Sequence, residues 1–157
     1  MPTLKGFECR VDGYDDPAYV VAPTASKARA SYWRDLLDCG PDITLMEIKV
    51  RRAPSHDMVF PDLPADLSDL NSREREIVVH TFGGGSHLRP DQWGYRDHYC
   101  GAPGEPILNA LVRRGLMTGP HGVEPDGSTG MWVGAFFYLT DKGKTVARAL
   151  IGMREAA

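Results

Sequence analysis

The chain lacks any apolar run long enough to cross a bilayer as a helix, and its N-terminus lacks a signal-peptide core. Both absences lead to the expectation of a cytoplasmic protein with no membrane partner. Cysteine is scarce: Cys9, Cys39 and Cys100 are odd in number and far apart. That pattern excludes a disulfide framework and suits free thiols in a reducing compartment. A strong excess of either charge is also missing, because the net charge is -3 over 157 residues. Residues 1–53 carry 8 basic and 8 acidic side chains, and residues 71–157 carry 10 basic and 9 acidic ones. Between them, residues 54–70 hold Asp57, Asp62, Asp66 and Asp69 and no Lys or Arg. No segment has the positive excess of a general phosphate-binding surface, which counts against tight nonspecific nucleic-acid binding. There is no internal repeat and no biased tract, and the length suits one ordinary domain or two small ones.

What is present divides into two modules of an α+β protein. Residues 1–53 read as ββαβ. Phe7–Val11 and Tyr19–Ala22 are strand-like, separated by the turn residues Gly13-Tyr-Asp-Asp-Pro17. Thr24 is placed to cap a helix running to about Asp38, in which Ala25, Ala28, Tyr32, Trp33, Leu36 and Leu37 share one face. Cys39-Gly-Pro41 stops it. Ile43–Arg52 then alternates, with Met46, Ile48 and Val50 expected inward and Glu47, Lys49 and Arg51 outward. Residues 54–70 read as an acidic linker, because Pro54, Pro61 and Pro64 with four Asp disfavour helix and strand; Met58, Val59 and Phe60 are its packing candidates.

The second module, residues 71–157, opens with Asn71 and Glu74 in capping spacing. A helix over Ser72–Phe82 follows, with Ile77, Val78, Thr81 and Phe82 inward, stopped by Gly83-Gly-Gly85. Residues 86–104 read as irregular. Pro106 suits the first turn of the next helix, whose core stripe is Ile107, Leu108, Leu111 and Val112 and whose end is Gly115. Leu116–Thr118 and about Val133–Leu139 form a ribbon with its tip in Gly119–Gly130. Thr140 then caps a last helix with Val146, Ala149, Leu150 and Met153 inward.

The helix ending in Arg114-Gly-Leu116, the ribbon and the Leu139-Thr-Asp-Lys-Gly143 helix start together resemble the second half of a winged-helix domain. That resemblance implies macromolecular binding, with the helix before the ribbon in the DNA major groove. Base reading needs Arg, Lys, Asn, Gln or Ser early in that helix, and here it begins Glu105-Pro-Ile-Leu108. Asn109, Arg113 and Arg114 are the remaining DNA contacts, and the ribbon tip offers His121, Glu124 and Asp126 instead of Lys or Arg.

Other constellations carry less chemistry. His80, His87, His98 and Cys100 are zinc-binding types, but no CxxC pair is present and His98-x-Cys100 is too tight for a usual ligand pair, so no metal or cofactor is expected. Gly83-Gly-Gly85-Ser86 lacks the Lys-Ser/Thr of a phosphate loop and follows a helix. Cys100 with His98, or Ser86 with His87, would be adjacent pairs, whereas nucleophile and base are normally assembled from distant positions. No catalysis is expected. Trp93, Tyr95 and Tyr99 share a loop with Arg89 and Arg96. These residue types dominate protein-interface hot spots, though the same rings also serve to plug a small core.

The runs Tyr95-Arg-Asp-His-Tyr99, Ala110-Leu-Val-Arg-Arg-Gly-Leu-Met117 and Phe137-Tyr-Leu-Thr-Asp-Lys-Gly143 look like those of small bacteriophage- and prophage-encoded proteins of unknown function. The usual form in such proteins has Asn at the position of Asp97. The segment with Cys9-x-Val-Asp-Gly13 and Tyr32-Trp33 also looks like a phage-type module. The resemblance implies a non-enzymatic accessory protein that binds and inhibits or redirects a host or phage protein complex, a host-defence inhibitor of the anti-CRISPR type being its sharpest form. The partner-binding residues are then Trp93, Tyr95, Arg96, Arg113 and Arg114. The alternative is a winged-helix DNA-binding transcriptional regulator acting on duplex DNA, and either form is compatible with a homodimer.

Overall fold

A computed structural model describes residues 1–38, 42–85, 88, 90–122 and 134–156. The protein is mixed α/β, with four α-helices and two antiparallel sheets among the described residues. Two compact units are formed, one by residues 1–60 with 152–157 and the other by residues 61–151. No helix of the described residues is long and apolar enough to cross a membrane.

In the first unit, β1 (Thr3–Val11) lies between β2 (Ala18–Ala22) and β3 (Ile48–Arg52), antiparallel to both. Helix α1 (Ala25–Asp38) begins where the Thr24 hydroxyl accepts the Lys27 N–H at 3.2 Å, a side-chain cap that satisfies an otherwise orphaned donor. Alternation along β1 puts Phe7, Cys9 and Val11 on one face, and they form a core with Ala22, Ala28, Leu36 and Ile48. Leu37, on the expected inner face of α1, is 46% exposed instead. Met46 is 80% exposed, because Leu45–Glu47 is a 3-10 turn and the strand begins only at Ile48. The Glu47 carboxylate accepts both the Thr44 N–H and hydroxyl at 2.7 Å, which closes that turn. The expected helix stop at 39–41 lies outside the described residues.

Residues 54–70 are more structured than a linker. A short strand, β4 (Met58–Val59), pairs with Thr3 and Leu4 of β1, and the Phe60 N–H donates to the Pro2 carbonyl. The Phe60 ring is buried, as are Leu67 and Leu70 further on. Asp57 is paired with Arg52, Asp66 with Lys142 and Asp69 with Arg114. These pairs set neighbouring cations against the acidic charge of the segment.

The second unit starts with α2 (Ser72–Phe82), whose Asn71 carboxamide accepts the Glu74 N–H while the Glu74 carboxylate accepts the Asn71 N–H, both at 2.9 Å. A strand not expected from the sequence, β5 (His98–Gly101), comes next, then α3 (Pro106–Arg113), β6 (Met117–His121), β7 (Ala135–Leu139) and, as far as Ile151, α4 (Asp141–Ala156). The sheet order is β5-β7-β6. Leu108, Leu111, Leu116, Phe137 and Val146 are fully buried in the core beneath it. Each such side chain contributes about 2 kcal/mol by removal from water. Thr140 accepts the Gly143 N–H and donates its hydroxyl to the Gly115 carbonyl, so one residue caps α4 and ties it to the end of α3. On α4, Met153 is 46% exposed, and Ala147 and Ile151 are buried in addition to Val146, Ala149 and Leu150.

Candidate functional site

The aromatic loop is built from the end of α2. Gly83 takes a left-handed φ of 77° and its N–H caps the helix on Val79 and His80. Gly94, at φ 85°, returns the chain to this point by donating its N–H to the Phe82 carbonyl at 3.0 Å. Between them Pro90–Gln92 forms a 3-10 turn. The result sets the Tyr95 ring directly on Gly83, where a Cβ would lie 2.5 Å from Cδ1 of the ring. Tyr95 is nevertheless 65% exposed, so its outer face is open. Trp93 is half-buried beside it. Leu88, Gln92, Trp93, Gly94 and Tyr95 line an open concavity of about 480 Å³. Arg96 is half-buried and donates from Nη2 to the His98 carbonyl at 3.4 Å.

The two arginines at the end of α3 behave differently from each other. Arg113 is exposed and has no ion pair among the described residues. Arg114 grips Asp69 with both Nη atoms, at 2.8 and 3.0 Å, and its Nε lies 3.6 Å from the buried Glu74 carboxylate. The paired guanidinium holds the Asp69 carboxyl below its ordinary range, and the carboxylate in turn raises the Arg114 value. Arg114 thus ties the end of α3 to the cap of α2.

These positions are anchored at different parts of α2. Tyr95 sits at Gly83, after the C-terminus of α2, and Arg114 is bound at Glu74, in its first turn. An 11-residue helix spans about 16 Å, so the sequence-expected set splits between the two ends of α2. Trp93, Tyr95 and Arg96 stay together, and Arg113 and Arg114 lie apart from them.

The histidines are also dispersed. His80 packs edge-on against Tyr99 with ring centres 6.0 Å apart, and His98 lies 3.5 Å from the Asp97 carboxylate. His87 and Ser86 lie outside the described residues, as do Arg89, Glu124 and Asp126. No group of three or more His, Cys, Asp or Glu side chains able to hold a metal exists among the described residues. Cys9 is buried and Cys100 exposed.

Two features were not singled out from the sequence. Gly83 supports Tyr95, a role invisible in the string because it depends on a ring twelve residues away. Phe136 and Tyr138 are 39% and 38% exposed on the outer face of β7. Their alternation with buried Ala135, Phe137 and Leu139 is legible in the sequence as a period of two. No known protein family, curated protein or solved structure matches the chain.

Proposed function

We propose that this protein is a non-enzymatic binding protein that captures a host or phage protein through the Trp93–Tyr95 loop and inhibits or redirects it. One observation carries the reading: the Tyr95 ring is fixed against Gly83 yet 65% exposed, beside a concavity lined by Leu88, Gln92 and Trp93. A rigid aromatic already held in place loses little entropy on binding, which is the property of an interface anchor. The resemblance to phage-encoded proteins supports a host-defence inhibitor, the anti-CRISPR type among them, as the biological setting.

The runner-up is a winged-helix regulator of duplex DNA. Its support is the succession of α3, the β6–β7 ribbon and α4, with Arg113 exposed at the end of α3. Against it, Arg114 is sequestered by Asp69, and β5 precedes α3 so closely that no positioning helix stands before it. Affinity capture from bacterial lysate, with and without nuclease, separates the two. A stoichiometric protein that survives nuclease supports the inhibitor; partners lost on nuclease treatment support the regulator.

A further inference from the structure

Strand β2 forms one edge of the sheet in the first unit, and β3 forms the other. The two edges differ in charge. β3 reads Ile48-Lys-Val-Arg-Arg52, and lysine or arginine on an edge strand discourages further pairing. β2 reads Ala18-Tyr-Val-Val-Ala22, which carries no charge and is rich in strand-forming residues. The direction of its backbone groups follows from Gly6. That residue donates its N–H to Asp57 at 2.8 Å and accepts the Ala53 N–H at 2.9 Å, so both its groups point to the β3 side. Successive residues of a strand point to opposite sides, so Phe7 directs both its groups to Val20, its partner on β2. Tyr19 and Val21 therefore direct theirs outward, where no strand pairs with them among the described residues.

The Tyr19 side chain leaves this edge clear. Its ring stacks on His56, with ring centres 3.8 Å apart and planes 11° from parallel. His56 lies over Gly6 of β1, its Cβ 2.7 Å from where a Cβ of residue 6 would stand, so the Tyr19 ring leans across the sheet and away from the edge. The sequence of the strand selects the partner. Pro17-Ala-Tyr-Val-Val-Ala-Pro23 reads the same in both directions except for the exchange of Tyr19 and Val21. Antiparallel strands meet in reverse, so a two-fold axis at Val20 sets Pro17 against Pro23, Ala18 against Ala22 and Tyr19 against Val21. Tyr19 and Val21 are the residues with outward backbone groups, so the two such pairs close about four hydrogen bonds. The prolines have no N–H and end the seam on both sides.

We propose that β2 pairs with the β2 of a second copy of this chain, antiparallel and centred on Val20, so that the two sheets become one. The Trp93–Tyr95 loop takes no part in this seam. Sedimentation velocity of the full chain tests the assignment, with a dimer expected at about 100 μM that dissociates at about 1 μM, as suits a short seam. Val21→Pro removes an outward N–H without touching the ladder to β1 and weakens the dimer at least about tenfold, whereas Val21→Thr keeps it. Val20→Cys tests the register even where the proline variant does not fold. The two Val20 residues face each other as a close pair, with Cα atoms about 4.5 Å apart, within reach of a disulfide. Mild oxidation of Val20→Cys, in a chain carrying Cys39→Ser and Cys100→Ser, gives a covalent dimer, and Tyr14→Cys in that chain does not. Tyr95→Ala leaves the dimer intact, so failure of the protein-binding loop is read separately. Wild type monomeric at about 100 μM overturns the proposal and leaves the edge to a strand of another protein. An unchanged dimer in folded Val21→Pro, or no cross-link through Val20→Cys, overturns it as well.

Discussion

The Tyr95 ring lies against the α-carbon of Gly83, so the helix stop and the exposed aromatic are one construction. Any side chain at position 83 meets the ring and must also hold a φ of 77°, which L-residues adopt at a cost. Gly83→Ala is expected to lower stability by about 1–2 kcal/mol in urea denaturation and to move Tyr95. Tyr95→Ala, which removes a mostly exposed ring, is expected to change stability by less than about 0.5 kcal/mol while weakening partner capture. A Gly83→Ala protein as stable as wild type would remove the supporting role of this contact.

Adjacent arginines at the end of α3 are expected to respond oppositely. Arg113→Glu changes stability by no more than about 0.5 kcal/mol, because the side chain is exposed and unpaired among the described residues. Arg114→Glu places a third carboxylate beside Asp69 and the buried Glu74 and is expected to lower the unfolding midpoint clearly. Asn71→Ala, at the same helix end, costs about 1 kcal/mol by deleting the cap. Equal midpoints for the two Arg variants would contradict the ion-pair arrangement.

Acid sensitivity follows from Asp57 and Asp69. The Arg52 guanidinium and the Gly6 N–H hold Asp57 below its ordinary carboxylate value, and Arg114 does the same for Asp69. A depressed folded value means that the stabilisation is complete above the unfolded value of 3.8 and is lost as pH falls further. Stability is therefore expected to fall below about pH 4, and Asp57→Asn to flatten that slope. An unchanged slope in the variant, measured by denaturation at several pH values, would rule out this source.

Thiol reactivity separates Cys9 from Cys100. Burial pushes the Cys9 thiol up to about 11, opposed by Arg29 and aided by Glu8, and a raised value keeps it protonated until strongly alkaline pH. Native alkylation near neutral pH is expected to label Cys100, and Cys9 only after unfolding, as read by peptide mass spectrometry. Labelling of Cys9 at the rate of Cys100 would show that the first unit opens readily.

Local signals were legible and distant pairings were not. Thr24, Asn71 with Glu74, Gly83, Pro106 and Thr140 each act within a turn of their own helix, and each helix start or stop is where those residues place it. Strand β5 escaped because His98–Gly101 has no strong alternation and its partner β7 lies some 35 residues further along the chain. The segment after Pro54 misled for the opposite reason. Its prolines and Asp argue against regular structure, but Phe60, Leu67 and Leu70 are buried by partners far away in sequence. The anchor points of the candidate residues were not legible either: Tyr95 meets the chain at the C-terminal end of α2 and Arg114 at its first turn, which no spacing in the string reveals.

The most direct test of the protein-binding account is affinity capture from nuclease-treated bacterial lysate, comparing wild type, Tyr95→Ala and Arg113→Glu. The account predicts one stoichiometric protein partner that is retained by wild type and Arg113→Glu and lost by Tyr95→Ala. Retention of that partner by a folded Tyr95→Ala protein, or loss of every partner on nuclease treatment, would contradict it.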